Sequence, residues 1–303
     1  LELLVASWTL VAHVLGWQLW LNVGFVLVLV VVLGVLGVRH GQRLRVLGSD
    51  ASVARVLNQV RAELDAIAPE AVVYMSADAG QSLYILNQWV PAIEALHQKS
   101  FIMVREASHL QPIAPTPVPV VYAPKTRHVE ELIRPTTMVA YYLANAGKNV
   151  HLLREASIRH VFLNHGDSDK STSANPVSRV YDGVWVAGQA AIDRYEAAGI
   201  HMPDSQYAII GRPQVEQLRV GPIAEDHRRT ILYAPTFEGY YEESNYSSLE
   251  RMGPQMIRRI LAELPDVRII FKPHPASGVQ RPGMAQARVE IVELLAAANA
   301  GHL

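Results

Sequence analysis

Histidine, lysine and hydroxyl side chains gather in three short segments, each at the downstream end of an apolar run: HVFLNHGDSDKS (160 to 171), ILYAPTFEG (231 to 239) and RIIFKPHP (268 to 275). An imidazole with a pKa near its ordinary value of about 6.5 can accept a proton at neutral pH. An ammonium, a hydroxyl and unpaired backbone N–H groups can surround an anion. Together these residue types suit proton transfer beside a phosphate-bearing group.

His165 follows the apolar run Val161, Phe162, Leu163 and is succeeded by Gly166, Lys170 and Ser171. On pattern alone, one histidine at a strand end reads more readily as a solvated or capping residue. A second histidine at an equivalent strand end shifts that balance. His274 is that second residue, two positions after Lys272, with Pro273 and Pro275 stiffening the backbone around it. Those prolines read equally well as plain punctuation. Pro235 and Thr236 end another apolar run; the Thr236 hydroxyl and N–H suit a phosphate, and they also suit a simple turn with a capping threonine.

Other patterns are set aside. Asp167 and Asp169 resemble a metal-binding carboxylate pair, but adjacent Lys170 competes for their charge, so no metal is expected there. GDSDKST lacks the glycine spacing of a P-loop, and no GxSxG, HExxH or GxGxxG occurs. The polar run EESNYSS (242 to 248) reads as a surface loop bordering the Thr236 segment.

Short apolar runs predict the elements that must carry these residues. AVVYMSA (71 to 77), SFIMVRE (100 to 106), PVVYAP (119 to 124), TMVAYYLA (137 to 144), HVFLN (160 to 164), GVWVAG (183 to 188) and YAIIG (207 to 211) read as strands separated by helical or turn signals. This is the βαβ rhythm of a parallel sheet, in which ligands collect at the carboxyl ends of the strands. QAAIDRYEAAG (189 to 199) reads as a crossover helix closed by Gly199. A second unit is expected to begin near Gly221 and Pro222. It comprises the strand TILYAP, a helix over 254 to 264, a strand over 267 to 271 and a helix over 283 to 298, with the chain ending before a third strand.

The 303 residues carry a formal charge of -1, and the absence of a basic field argues against nucleic acid as a partner. With no cysteine, disulfides, thiolate catalysis and cysteine-held metals are excluded. From Leu3 to Val38 there is no Asp, Glu, Lys or Arg. As one helix this run would reach about 54 Å, against a hydrocarbon core of about 30 Å, so a break is expected near Trp17 to Gly24. Two short spans, or a span plus an interfacial segment, follow, with Trp8, Trp17 and Trp20 suited to headgroup depth. Arg39, Arg43 and Arg45 after the apolar run predict a cytoplasmic location for everything downstream. Val53, Val56, Leu57, Val60, Leu64 and Ile67 predict an amphipathic helix ended by Pro69. A start on Leu1 rather than Met, and an end straight after a helical run, lead us to expect missing sequence at both ends.

HGDSDK, GRPQVEQL (211 to 218), LYAPTFEG and FKPHP, in that order and at these separations, resemble the CDP-glycerol glycerophosphotransferase family of teichoic-acid primases and polymerases. The resemblance covers roughly residues 70 to 300. It implies an α/β fold of GT-B type with a pair of Rossmann-type domains; in this chain the second reads as incomplete, and a hydrophobic membrane segment precedes the pair where family members are often anchored by basic surface helices. The expected divisions are a membrane segment at 1–45, a linker helix at 46–70, an acceptor-side domain at 71–221 and a truncated donor-side domain at 222–303. The resemblance further implies transfer of glycerol phosphate from CDP-glycerol to a hydroxyl of a lipid-linked or polymeric acceptor, releasing CMP, with no cofactor or metal. Membrane lipid is the remaining partner. His165 and His274 match the family's two motif histidines, a general base and a donor-phosphate group. Gly166, Lys170, Ser171, Gly211, Arg212, Pro235, Thr236 and Lys272 would border the substrates. The chain departs from the family at Asp167, Ser168 and Asp169, and lacks the basic and Asn residues that often follow Pro213. A GT-B glycosyltransferase using a CMP- or UDP-sugar, and a non-catalytic membrane scaffold, are the rival readings.

Overall fold

A computed structural model describes all residues except 1, 15–18, 48–49, 78, 111–112, 165, 167, 169–172, 217, 222–228, 240, 299–300 and 303. The chain forms two compact units, Leu1–Ile67 and Ala68–Leu303.

The first unit is helical: α1 (Glu2–Val14), α2 (Leu19–Leu47) and α3 (Asp50–Ile67). At 13 residues α1 spans about 20 Å, short of a bilayer core. Trp8 stacks on Phe25 with ring centroids 4.1 Å apart, so α1 folds back along α2. The expected break therefore lies earlier than Asn22 and Gly24, which are inside α2. The helix propensity cost of one Asn and one Gly, about 1 kcal/mol or less each, is too small to end a long helical run. Val23–Gln42, with mean hydropathy 2.4, is long and apolar enough to cross a membrane. Its side chains point outward, Leu27, Val28 and Val31 each being about 60% exposed. α3 stops where Ala68 turns left-handed (φ 52°), one residue before Pro69.

The second unit holds two parallel sheets. The larger contains β1 (Ala71–Met75), β2 (Ser100–Val104), β3 (Val120–Tyr122), β4 (Val139–Tyr142), β5 (Arg159–Phe162), β6 (Gly183–Val186) and β7 (Tyr207–Ile209), in the order β3-β2-β1-β4-β5-β6-β7, with α5 (Thr126–Leu132), α6 (Val150–Leu153) and α7 (Gln189–Ala197) between its later strands. All seven apolar runs expected to be strands are strands. β1 and β2 are buried along their whole length, as parallel strands covered on both faces must be. The order reverses between β1 and β4, which opens a crevice at their carboxyl ends. α4 (Ala79–Glu94) leaves β1 beside that crevice and packs Ile85, Leu86, Trp89 and Ile93 on Val73, Met75 and Ile102. These residues recur at helical spacing, so one stripe of α4 is sealed against the sheet.

The smaller sheet, ordered β10-β9-β8, joins β8 (Thr230–Tyr233), β9 (Arg268–Phe271) and β10 (Gly301–His302). A third strand thus does form, correcting the expectation. After α9 (Pro282–Ala297) the chain pairs Gly301 and His302 with Ile269 and Ile270. Helix α8 (Leu249–Glu263) starts five residues earlier than expected. Pro254 does not open it, because Leu249 and Gly253 are buried with Ile257 and draw the preceding turn into the core. Gly253 allows that approach: a Cβ there would sit 3.0 Å from the Tyr233 hydroxyl and 3.1 Å from Ile291 Cδ1. The α/β organisation in two Rossmann-type parallel sheets is as the sequence predicted.

Candidate active site

Two groups of side chains stand at strand carboxyl ends, and α4 is common to both. The first group surrounds a small, open cleft past the ends of β5, β6 and β7. Its lining includes Trp89, Asn164, Gly166, Trp185, Gly211 and Arg212. Three sequence-predicted residues, Gly166, Gly211 and Arg212, are therefore brought together. Asn164 takes a left-handed conformation (φ 59°) that ends β5, and its carbonyl accepts from Trp89 Nε1 at 3.1 Å. Asparagine tolerates that backbone better than most residues because its side chain can bond locally. Gly211 is also left-handed (φ 70°), where glycine carries no steric penalty. His165, Lys170 and Ser171, and the carboxylates Asp167 and Asp169, lie outside the described residues.

The second group sits past β8 and β9. Lys272 and His274 follow β9; Pro235 and Thr236 follow β8. The two loops are tied by backbone: Lys272 N–H donates to the Tyr233 carbonyl at 2.9 Å and His274 N–H to that of Pro235 at 3.3 Å. Pro235 is buried, and its carbonyl is the acceptor in the second of these bonds. The Thr236 carbonyl accepts from Ser247 Oγ at 2.6 Å, which fastens the loop to the start of α8. Lys272 is exposed, and its ammonium forms no ion pair among the described residues.

His274 is fixed on three sides. Phe237 stacks on its ring at 4.7 Å, with 27° between planes. Tyr84, from α4, meets the ring edge-on at 5.6 Å, with its hydroxyl 3.5 Å from Nε2, the outer limit of a hydrogen bond. Ala276 N–H donates to Nδ1 at 3.1 Å. A ring nitrogen that accepts a backbone N–H carries no proton, so the neutral imidazole bears its hydrogen on Nε2, toward Tyr84. Such an N–H is a ready donor to an anionic oxygen.

α4 thus reaches both groups: Tyr84 touches His274, and Trp89, about 7.5 Å further along the axis, lines the first cleft. No sequence motif pointed to Tyr84, Trp89, Asn164, Phe237 or Glu238. Phe237 and Glu238 lay inside a recognised segment, but an apolar ring and an acid there gave no reason to single them out. Glu238 is 2% exposed and accepts N–H groups from Gly278 (3.1 Å), Gln280 (3.0 Å) and Arg281 (3.3 Å). Burial alone would raise its pKa, but those backbone donors outweigh it and hold the carboxyl below the usual glutamate range.

The chain matches no family model, and no curated protein matches it. Among solved structures it is similar to the wall teichoic acid polymerase TagF at 13% identity and TM-score 0.44, over 84% of this chain and 71% of that one. A glycosyltransferase from Rickettsia africae ESF-5 is similar at 9% identity and TM-score 0.47, over 77% and 66% of the two chains. The apo lipopolysaccharide outer core galactosyltransferase WaaB is similar at 8% and 0.43, over 77% and 67%. Likeness at this level concerns the chain trace and assigns no residue a role.

Proposed function

We propose that the protein is a membrane-anchored transferase that moves glycerol phosphate from CDP-glycerol to a hydroxyl of a lipid-linked or polymeric acceptor. The observation that carries the reading is the Tyr84–His274 contact, by which the donor-side imidazole of one sheet meets the helix that also borders the cleft of the other. The ordered motifs HGDSDK, GRPQVEQL, LYAPTFEG and FKPHP supply the choice of donor.

In this mechanism the acceptor oxygen forms a bond to the glycerol-bearing phosphorus, and the bond from that phosphorus to the bridging oxygen breaks. CMP leaves with the electron pair. His165 takes the hydroxyl proton. The Nε2–H of His274, the Lys272 ammonium and Thr236 bear the charge gathering on the diphosphate oxygens. Arg212, with Gly211 and Gly166, borders the acceptor. Positioning and electrostatics account for most of the acceleration, as in other phosphoryl transfers. The apolar helix Val23–Gln42 would hold the enzyme at its lipid-linked acceptor, with the catalytic unit on the cytoplasmic side.

A donor panel tests the reading. Full-length protein in lipid vesicles should release nucleotide from CDP-glycerol and leave UDP- and CMP-sugars intact. Turnover of a UDP-sugar with CDP-glycerol untouched would replace this function with a glycosyl transfer, and inertness toward every donor would leave a scaffold.

A further inference from the structure

Glu238 belongs to no part of that mechanism, yet it is among the most buried acids of the second unit and has no Lys, Arg or His partner among the described residues. A buried carboxylate without a cation is costly unless hydrogen bonds replace its water. Here they come from one place. Both oxygens accept from Gly278 N–H at 3.1 Å, and one also accepts from Gln280 and Arg281 at 3.0 and 3.3 Å. Arg281 is the N-cap of α9, and the next residue, Pro282, has no N–H. The N-cap amide of this helix, at the end where open α/β folds often receive a ligand's phosphate, is therefore already engaged from inside the protein.

The two amides just upstream of Gly278 close the turn that carries His274. Ser277 N–H donates to the His274 carbonyl at 2.9 Å, and Ala276 N–H donates to Nδ1. Gly278 is left-handed (φ 83°), and a Cβ there would lie 2.7 Å from Ala285 Cα, so the turn fits against α9 in one way. Phe237, the residue before Glu238, covers the imidazole face. One dipeptide thus holds the ring with one side chain and the turn behind it with the other.

We propose that Glu238 is the positioning residue of His274: by capping α9 across the loop, it keeps Nδ1 turned to the backbone and Nε2–H presented toward Tyr84. An anionic ligand here is then held by the side chains of His274, Lys272 and Thr236. This rests on the donor-side role given to His274 above. A competing assignment makes Glu238 an occupant of the ligand's own seat, which the ligand must expel.

The test is nitrogen-15 NMR of full-length, histidine-labelled protein, with the His274 signal assigned by its loss in His274→Gln, combined with inorganic pyrophosphate binding. In the unmodified protein His274 should show an unprotonated Nδ1 and a protonated Nε2. Glu238→Gln should give a mixture of tautomers and weaken pyrophosphate binding about tenfold, the low end for loss of a supporting hydrogen-bond partner. Glu238→Asp, which keeps the charge but shortens its reach, should shift the tautomer in the same direction and serves if the Gln variant does not fold. A protonated Nδ1 in the unmodified protein, an unchanged tautomer in both variants, or tighter pyrophosphate binding in Glu238→Gln would each overturn the proposal. Unmodified protein that shows the expected tautomer but binds no pyrophosphate would remove the donor-side reading and leave the positioning role standing.

Discussion

At the scale of single residues, the proposed chemistry divides between a proton acceptor and an anion holder, and each division makes a prediction. His165→Ala should lower turnover by about two to four orders of magnitude with donor binding retained, measured as CMP release and donor Kd. A loss under tenfold would remove the base assignment. Tyr84→Phe deletes only a hydroxyl 3.5 Å from His274 Nε2, and should raise the donor KM by a few-fold to about tenfold with a smaller effect on kcat. Equal KM values in the two proteins would detach Tyr84 from the donor. Glu238 makes stability depend on acidity. Its native pKa lies below the unfolded value of about 4.5, so between the two the unfolded chain binds more protons. The stabilisation is complete above the unfolded pKa and is lost as pH falls through the lowered native value. Thermal unfolding between about pH 3 and 6 should show an acid limb that flattens in Glu238→Gln, and superimposable limbs would contradict this. Of these residues the two histidines were legible as types that do chemistry. Tyr84 and Glu238 were not, because their meaning comes from contacts 190 and about 40 positions away in sequence.

Elements were more legible than contacts. Every strand of the larger sheet showed itself as a short β-rich apolar run, and β1 and β2, buried along their whole length, leave no alternative pattern. Failures came where tertiary packing overrode local signals. Pro254 marked a helix start that burial of Leu249 and Gly253 moves upstream, and β10 exists only because α9 returns the chain to the edge of β9. α4 escaped notice because Pro91 interrupts its apolar stripe in sequence while leaving the helix intact in space. Yet α4 is the element on which both groups of site residues converge. The chain has no cysteine, so Tyr84→Cys with His274→Cys can be read without background. A short thiol cross-linker should join that pair in the folded protein and fail after denaturation, whereas equal linking in both states would dissolve the contact. Gly278→Ala should destabilise the second unit by about 1–3 kcal/mol, seen in urea unfolding, since its φ of 83° and a Cβ 2.7 Å from Ala285 Cα leave alanine no comfortable position.

At the scale of the whole molecule, the chain carries an apolar helix long enough to cross a membrane and, in its second unit, a pair of parallel sheets; the proposed function uses the first to reach a membrane-confined acceptor. If α1 and α2 supply that anchoring, the full chain should stay with membranes through an alkaline wash, and deletion of residues 1–47 should release it; retention of the shortened chain would shift anchoring to its surface. The reaction itself leaves an isotopic signature. With CDP-glycerol carrying labelled phosphorus only at the glycerol-bearing position, full-length protein in vesicles with an acceptor should pass the label to the acceptor while unlabelled CMP appears in equal amount. Label recovered in CDP, with glycerol alone transferred, or no transfer at all from this donor, would contradict a glycerol-phosphate transferase.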